Sequence, residues 1–142
     1  MLCGADWHGA DVIHARAEDS PLRGQIVLTG FIANEDLEEA YRGSAVYVFP
    51  SLFEGFGLSL IEAMHYGVPC ACSETSSLGE LGQGAALLFD PENPAAIADA
   101  LLRLLSEPGL RDELKEAGRR RAAEFTWTKH VERIIHAVES SK

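Results

Sequence analysis

The chain has 142 residues, enough for about one domain with a core of its own. It carries 12 Lys+Arg against 22 Asp+Glu, a formal net charge of −10. That balance argues against a nucleic-acid binder, whose affinity rests on Lys and Arg contacts to phosphate, and against an anionic membrane surface. In chain order, Met1-Leu2-Cys3-Gly4 reads as the end of a buried strand and its turn. Gly9 to Glu18 is a weakly patterned short helix. Ile26-Val27-Leu28-Thr29 is a strand ended by Gly30, and Asn34 is a candidate N-cap for a helix to about Arg42. Ala45 to Phe49 is a second β-rich run, stopped by Pro50. A helix is predicted from about Ser59 to Tyr66, closed by Gly67. Val68 to Cys72 and Ala86 to Phe89 are two more apolar strands. Strands alternating with helices imply βαβ units and a parallel α/β sheet, and all-apolar strands agree with burial on both faces.

The last third is helical. Asn93-Pro94 is a cap followed by Pro at the first helical position, ahead of a stripe of Ile97, Leu101, Leu104 and Leu105. Pro108-Gly109 breaks the pattern, and Leu110, Leu114 and Ala117 begin a second stripe. Thr126 can cap a third helix, on which Val131, Ile134, Ile135 and Val138 share a face. Arg119-Arg120-Arg121 lies amid acids and reads as a solvated helix face rather than a polyanion site. Of the three cysteines, Cys70 and Cys72 share one face of a strand. Without a second Cys or His pair they make no zinc signature, and they read as buried thiols of a reducing cytoplasm. No apolar run reaches the ~18 residues of a membrane span and no signal peptide is visible, so a cytoplasmic protein is expected.

The chemistry concentrates in Phe49-Pro50-Ser51-Leu52-Phe53-Glu54-Gly55-Phe56-Gly57-Leu58-Ser59-Leu60-Ile61-Glu62. Two carboxylates bracket a Gly-x-Gly loop that runs from a strand into a helix. In open α/β sheets ligands bind beyond the carboxyl ends of strands, so Glu54 is expected to project into a cleft. The glycines permit close backbone approach, and the amides of Gly57, Leu58 and Ser59 can point at a phosphate with the helix dipole behind them. A second reading stands beside this one. Ser59-x-x-Glu62 fits a capping box in which Glu62 merely bonds back to the Ser59 amide. Glu54 alone fits an exposed loop acid, and His65, one turn past Glu62, fits an exposed helix histidine better than an acid/base. No Lys or Arg stands between Arg42 and Arg103, so any phosphate here needs backbone amides or cations from elsewhere.

The run from Pro50 to Glu62, continued by Ala63-Met64-His65-Tyr66-Gly67-Val68-Pro69, resembles the retaining, GT-B-fold glycosyltransferases of the group 1 or GT4 type. Their mark is Glu-x7-Glu within P-S-x-x-E-G-F-G-L-x-x-x-E-A-M-x-x-G-x-P. Val27 to Ile32, Ala86 to Pro91 and Phe125-Thr126-Trp127 resemble further landmarks of that family. Ser59 stands where many relatives have Pro and keeps a helix-initiating role.

The resemblance implies a Rossmann-like parallel sheet flanked by helices: the GT-B C-terminal domain, without its first strand and helix. It implies one donor-binding domain over residues 1–142, with C-terminal helices from about 94 to 139. Glu54 would be catalytic, near the donor sugar, and Glu62 would hold the ribose of the donor nucleotide. Gly55, Phe56, Gly57, Leu58 and Ser59 would meet sugar and diphosphate, and main-chain groups at Phe31 and Ile32 the base. The substrate would be a nucleotide diphosphate sugar of UDP, GDP or ADP type, with no cofactor and no metal. Polysaccharide, lipopolysaccharide or glycolipid synthesis is typical of the family.

The Arg and Lys that neutralise the leaving diphosphate would lie upstream of the first strand, and Arg16 and Arg23 do not match them. The implied partners are therefore an acceptor-binding N-terminal domain, in cis or in trans, and a second copy through the truncated sheet edge. The protein would be cytoplasmic, or at the inner membrane face through the missing domain. The alternative function is a non-catalytic module that binds a nucleotide sugar or a protein partner.

Overall fold

A computed structural model describes residues 1–6 and 8–140. They form two units, Met1–Ala40 and Tyr41–Lys142.

In the first unit, β1 (Leu2–Cys3) pairs in parallel with β2 (Leu28–Gly30), Leu2 opposite Leu28. α1 (Ala10–Glu18) lies between them in sequence and buries none of its residues, which explains its weak apolar pattern. β2 starts later than the apolar run suggests, because Ile26 is drawn into a 3-10 turn at Arg23–Gln25 through its bond to the Arg23 carbonyl. α2 (Asn34–Gly43) begins here. Asn34 is its first helical residue and not its cap. The Ala33 carbonyl accepts from the Asp36 and Leu37 amides, both at 3.0 Å, and Glu35 and Asp36 complement the dipole of the first turn.

The second unit holds the parallel sheet β3 (Tyr47–Phe49), β4 (Cys70–Ser73) and β5 (Leu87–Phe89), in the order β3-β4-β5. Phe49 pairs with Cys72, and Cys72 with Leu88. α3 (Leu58–His65) connects β3 to β4, and α4 (Ser76–Gly82) connects β4 to β5. β4 is buried along its whole length. Ala71 packs on one side with Phe89, Ala100, Leu104 and Leu114, while the Cys72 thiol contacts the Leu78 carbonyl of α4. Such two-sided burial is what a central parallel strand requires, and it explains the unbroken apolar run.

The sequence pattern misses α4, because Gly79 and Gly82 carry a poor helix propensity. The structure supplies their reason. A Cβ on Gly82 would lie 2.6 Å from Cys72 Sγ, and one on Gly79 would strike the Glu74 carbonyl oxygen. Close approach of helix to strand outweighs the propensity cost. All three thiols are free; Cys70 and Cys72 are buried and Cys3 is exposed. Burial pushes both buried thiols up, Cys72 to about 12, so neither forms a thiolate near neutral pH.

Three helices follow: α5 (Pro94–Ser106), α6 (Pro108–Ala122) and α7 (Trp127–Glu139). Asn93 caps α5 by accepting from the Ala95 and Ala96 amides at 3.1 and 3.2 Å, and Thr126 caps α7 by accepting from the Lys129 amide at 3.2 Å. The stripe of α5 is only partly inside: Leu104 is buried, while Leu105 is exposed. The face of α7 bearing Val131, Ile134, Ile135 and Val138 is left uncovered by the described residues.

The arginine triplet is exposed at Arg119 and Arg120, as expected of a solvated face, and half-buried at Arg121. Arg119 lies over Gly67, where a Cβ would collide with its guanidinium. Arg121 donates to the Leu81 carbonyl at 3.3 Å and the Glu80 carbonyl at 2.9 Å, so a cation sits at the carboxyl end of α4, where the helix dipole favours it.

Candidate functional site

The loop from Pro50 to Gly57 leaves the carboxyl end of β3 and enters α3 within the second unit. It has no regular hydrogen-bonding ladder, so its shape must come from neighbours. Three consecutive hydroxyls supply it. Thr75 Oγ1 donates to the Leu52 carbonyl at 3.0 Å, and Ser77 Oγ donates to the Glu54 carbonyl at 2.9 Å. The Glu54 amide donates to Ser76 Oγ at 3.1 Å. The buried Ser73 hydroxyl, on the last residue of β4, donates to the Phe49 carbonyl at 3.3 Å. The Glu54 backbone is thus held on both sides, while its half-buried carboxylate has no partner among the described residues.

Ser76 reaches this position at φ +52°, a left-handed conformation that costs a non-glycine residue ~1 kcal/mol or more. Ser76→Ala keeps the strained backbone and loses the hydrogen bond, whereas Ser76→Gly loses the bond and relaxes the strain. Ser76→Ala is therefore expected to be the less stable variant by ~1 kcal/mol, read from urea midpoints. Equal midpoints would show that Ser76 carries no such strain.

Gly57 is the N-cap of α3 at φ +100°, and it is buried. A Cβ there would lie 2.7 Å from Leu78 Cδ2 and 3.3 Å from Leu81 Cδ1. Both the dihedral and the space demand glycine. The helical ladder begins with the Leu60 amide, which donates to the Gly57 carbonyl at 3.1 Å. The Leu58 and Ser59 amides are first-turn donors without intrahelical partners, and they face the helix start. α3 buries Leu60, Ile61, Ala63 and Met64, which leaves Glu62 and His65 on the exposed side. A Schellman turn at Gly67 ends it, with the Val68 amide bonded to the Ala63 carbonyl and the Gly67 amide to the Met64 carbonyl, each at 3.0 Å.

The capping-box reading of Glu62 is overturned. The helix starts two residues before that reading requires, and Glu62 Oε2 accepts from the Tyr41 hydroxyl at 3.2 Å instead. For the same reason Ser59 does not initiate the helix; it is the second helical residue, and Gly57 is the cap. Tyr41, at the end of α2, is a site residue that no local pattern signals. Thr75, Ser76 and Ser77 are others. Phe31 and Ile32 follow β2 in the first unit, Phe31 exposed and Ile32 half-buried. That unit has a cavity of its own, about 210 Å³, whose lining includes Cys3, Asp6, His8 and His14.

The sequence profile described as "Glycosyl transferases group 1" matches residues 1–121. The chain belongs to the group 1 glycosyltransferases. It is 35% identical over 127 residues to the O-antigen chain mannosyltransferase B of Escherichia coli, covering 89% of this chain and 33% of that one. The solved sucrose-phosphate synthase of Thermosynechococcus elongatus superposes with a TM-score of 0.84 at 29% identity, over 99% of this chain and 38% of that one. A solved C-terminal domain of a group 1 glycosyltransferase from Francisella tularensis gives 0.71 at 26%, over 80% and 60%. This glycosyltransferase chain thus spans about a third of the length of the mannosyltransferase it matches. Its fold is the Rossmann-like GT-B C-terminal domain: parallel strands flanked by helices.

The charge map of this group 1 chain is less empty than the sequence suggests. A cavity of about 410 Å³ is lined by Gly55, Phe56, Ser77, Glu80, Arg121 and Arg133, among others. Two arginines distant in sequence therefore share a cavity with the loop. Arg121 is already engaged, by Glu124 at 2.7 Å and by the carbonyls of α4. Among the described residues, no three or more His, Cys, Asp or Glu group together as a metal would require, and no helix is long and apolar enough to cross a membrane.

Proposed function

We propose that this chain is the donor-binding part of a retaining glycosyltransferase, which transfers a sugar from a nucleotide diphosphate sugar to an acceptor hydroxyl. One observation carries the reading. Glu54 lies in the loop that enters α3 and Glu62 on the exposed side of that helix, and between them α3 starts with the Leu58 and Ser59 amides free of intrahelical partners, donors suited to a diphosphate. In this reading Glu62 accepts hydrogen bonds from the ribose hydroxyls, and Glu54 contacts the donor sugar. The amides from Gly57 to Ser59 take the diphosphate. The sugar–phosphate bond breaks with its electron pair on the diphosphate oxygen. The acceptor oxygen bonds to the sugar carbon on the same face, and its proton passes to the departing phosphate.

A diphosphate leaving group gains several kcal/mol from cations placed at its oxygens. No Lys or Arg stands between Arg42 and Arg103, and of the two arginines that line the cavity beside the loop, Arg121 is spent on α4 and Arg133 alone remains. Donor binding is therefore assigned to this chain, with a second element, in cis or in trans, to bring the acceptor and further cations. The same charge map favours a second reading: a module that binds a nucleotide sugar without transferring it.

Calorimetry with UDP-, GDP- and ADP-linked glucose and mannose tests the proposal. The sugars are chosen because one relative is named for mannosyl transfer and another for sucrose-phosphate synthesis. One nucleotide class is expected to bind in the micromolar to millimolar range. If none binds to a demonstrably folded sample, both readings fail.

A further inference from the structure

Tyr41 is a buried aromatic residue of the second unit that reaches the motif. It is 6% exposed, and its hydroxyl lies 3.2 Å from Glu62 Oε2 and 3.3 Å from the Ser59 carbonyl oxygen. Its ring stacks on Tyr66, with centroids 5.6 Å apart and planes 18° apart, and meets Tyr47 edge-on at 5.7 Å. Arg42 covers Tyr66 at 5.0 Å. A phenol fenced in this way has one rotamer, so its hydroxyl is a fixed donor. Glu62, by contrast, is an exposed helix side chain that would otherwise sample several rotamers and lose that freedom on binding.

We propose that Tyr41 is the positioning residue for Glu62, holding one carboxylate oxygen so that the other is presented to the ribose hydroxyls of a nucleoside diphosphate. The inference rests on the nucleotide-binding reading of Glu62. Tyr41 touches no ligand; it acts by holding an anionic acceptor in one orientation before the ligand arrives. Burial pushes the Tyr41 phenol far up, with Tyr47 and Glu62 adding to the effect, so the donor proton is present at every working pH. The single hydroxyl proton is shared, in a bifurcated bond, with the Ser59 carbonyl, which ties the hydroxyl to the first turn of α3 and so fixes the carboxylate relative to the amides of that turn.

The experiment is a double-mutant cycle on the full chain, with free UDP, GDP and ADP as probes, read by calorimetry beside thermal melts. Tyr41→Phe keeps the stacked ring and removes only the hydroxyl, so the fold is retained. Tyr41→Phe is expected to weaken the preferred nucleotide about fivefold, and Glu62→Ala at least tenfold. The double variant should bind no worse than Glu62→Ala alone, because Tyr41 acts only through Glu62. A Tyr41→Phe loss that persists at full size in the Glu62→Ala background overturns the proposal. So does an unchanged affinity in Tyr41→Phe when Glu62→Ala is impaired; in that case the nucleotide reading of Glu62 survives. Full affinity in Glu62→Ala overturns the positioning role together with the reading beneath it.

Discussion

Glu62→Ala is expected to lower nucleotide affinity by about ten- to a hundredfold while leaving the melting temperature almost unchanged. A hydrogen bond to a charged group contributes ~1.5–3 kcal/mol, and each ~1.4 kcal/mol is tenfold in affinity. The stability side of the expectation comes from three features. Glu62 is exposed, it caps nothing, and its one hydrogen-bond partner, Tyr41, keeps the Ser59 carbonyl when the carboxylate is removed. No buried donor is orphaned, so the usual penalty of ~1–3 kcal/mol for an unsatisfied group does not arise. Alanine is also the better helix former. Calorimetry and a thermal melt on one preparation separate the two quantities. A large fall in melting temperature without ligand would mean that Glu62 serves the fold rather than a ligand.

Gly57→Ala should act in the opposite way, through the fold. A left-handed residue with a Cβ costs ~1–2 kcal/mol, and overpacking against Leu78 and Leu81 adds ~1–3 kcal/mol. For a domain of this size a loss of about 3 kcal/mol lowers the melting temperature by about 10 °C. Nucleotide binding should fall as well, because relieving the clash moves the first turn of α3 and with it the Leu58 and Ser59 amides. Gly55→Ala is the control. Gly55 has no positive φ, and a Cβ there meets nothing within 4 Å, so its melting temperature should change little. Equal damage from both substitutions would mean that Gly57 is not held in its left-handed, packed state.

Those two glycines show where local reasoning stops. Within Gly55-Phe56-Gly57 they are equivalent as letters, and each permits backbone approach. Only the packing of α4 against the start of α3 makes one obligatory and the other replaceable. The helix α4 itself escaped the sequence pattern because its glycines serve contacts with β4 and the turn after it. Those contacts are set by the fold and not by helix periodicity.

Much was nevertheless legible. Apolar runs alternating with helical patterns are enough to call a parallel sheet, because buried parallel strands need no polar face. Asn93 and Thr126 announce their helices because a cap bonds to amides two or three residues away, a range that sequence spacing encodes. The Glu-x7-Glu spacing puts one acid in the loop and the other on the outer side of α3 for the same local reason.

The tertiary structure decided the rest. It chose Tyr41, 21 residues from Glu62, as the carboxylate's partner, and that choice refuted the local capping box. It brought the hydroxyls of Thr75, Ser76 and Ser77 onto the loop that carries Glu54, and Arg121 onto the end of α4. The pairing of β3 with β4 sets the carboxyl ends of both strands side by side, so the segments that follow them must meet. Periodicity and capping reach about one helical turn, whereas strand order acts across the whole sheet, and that difference in range divides what the sequence determined from what only the fold could.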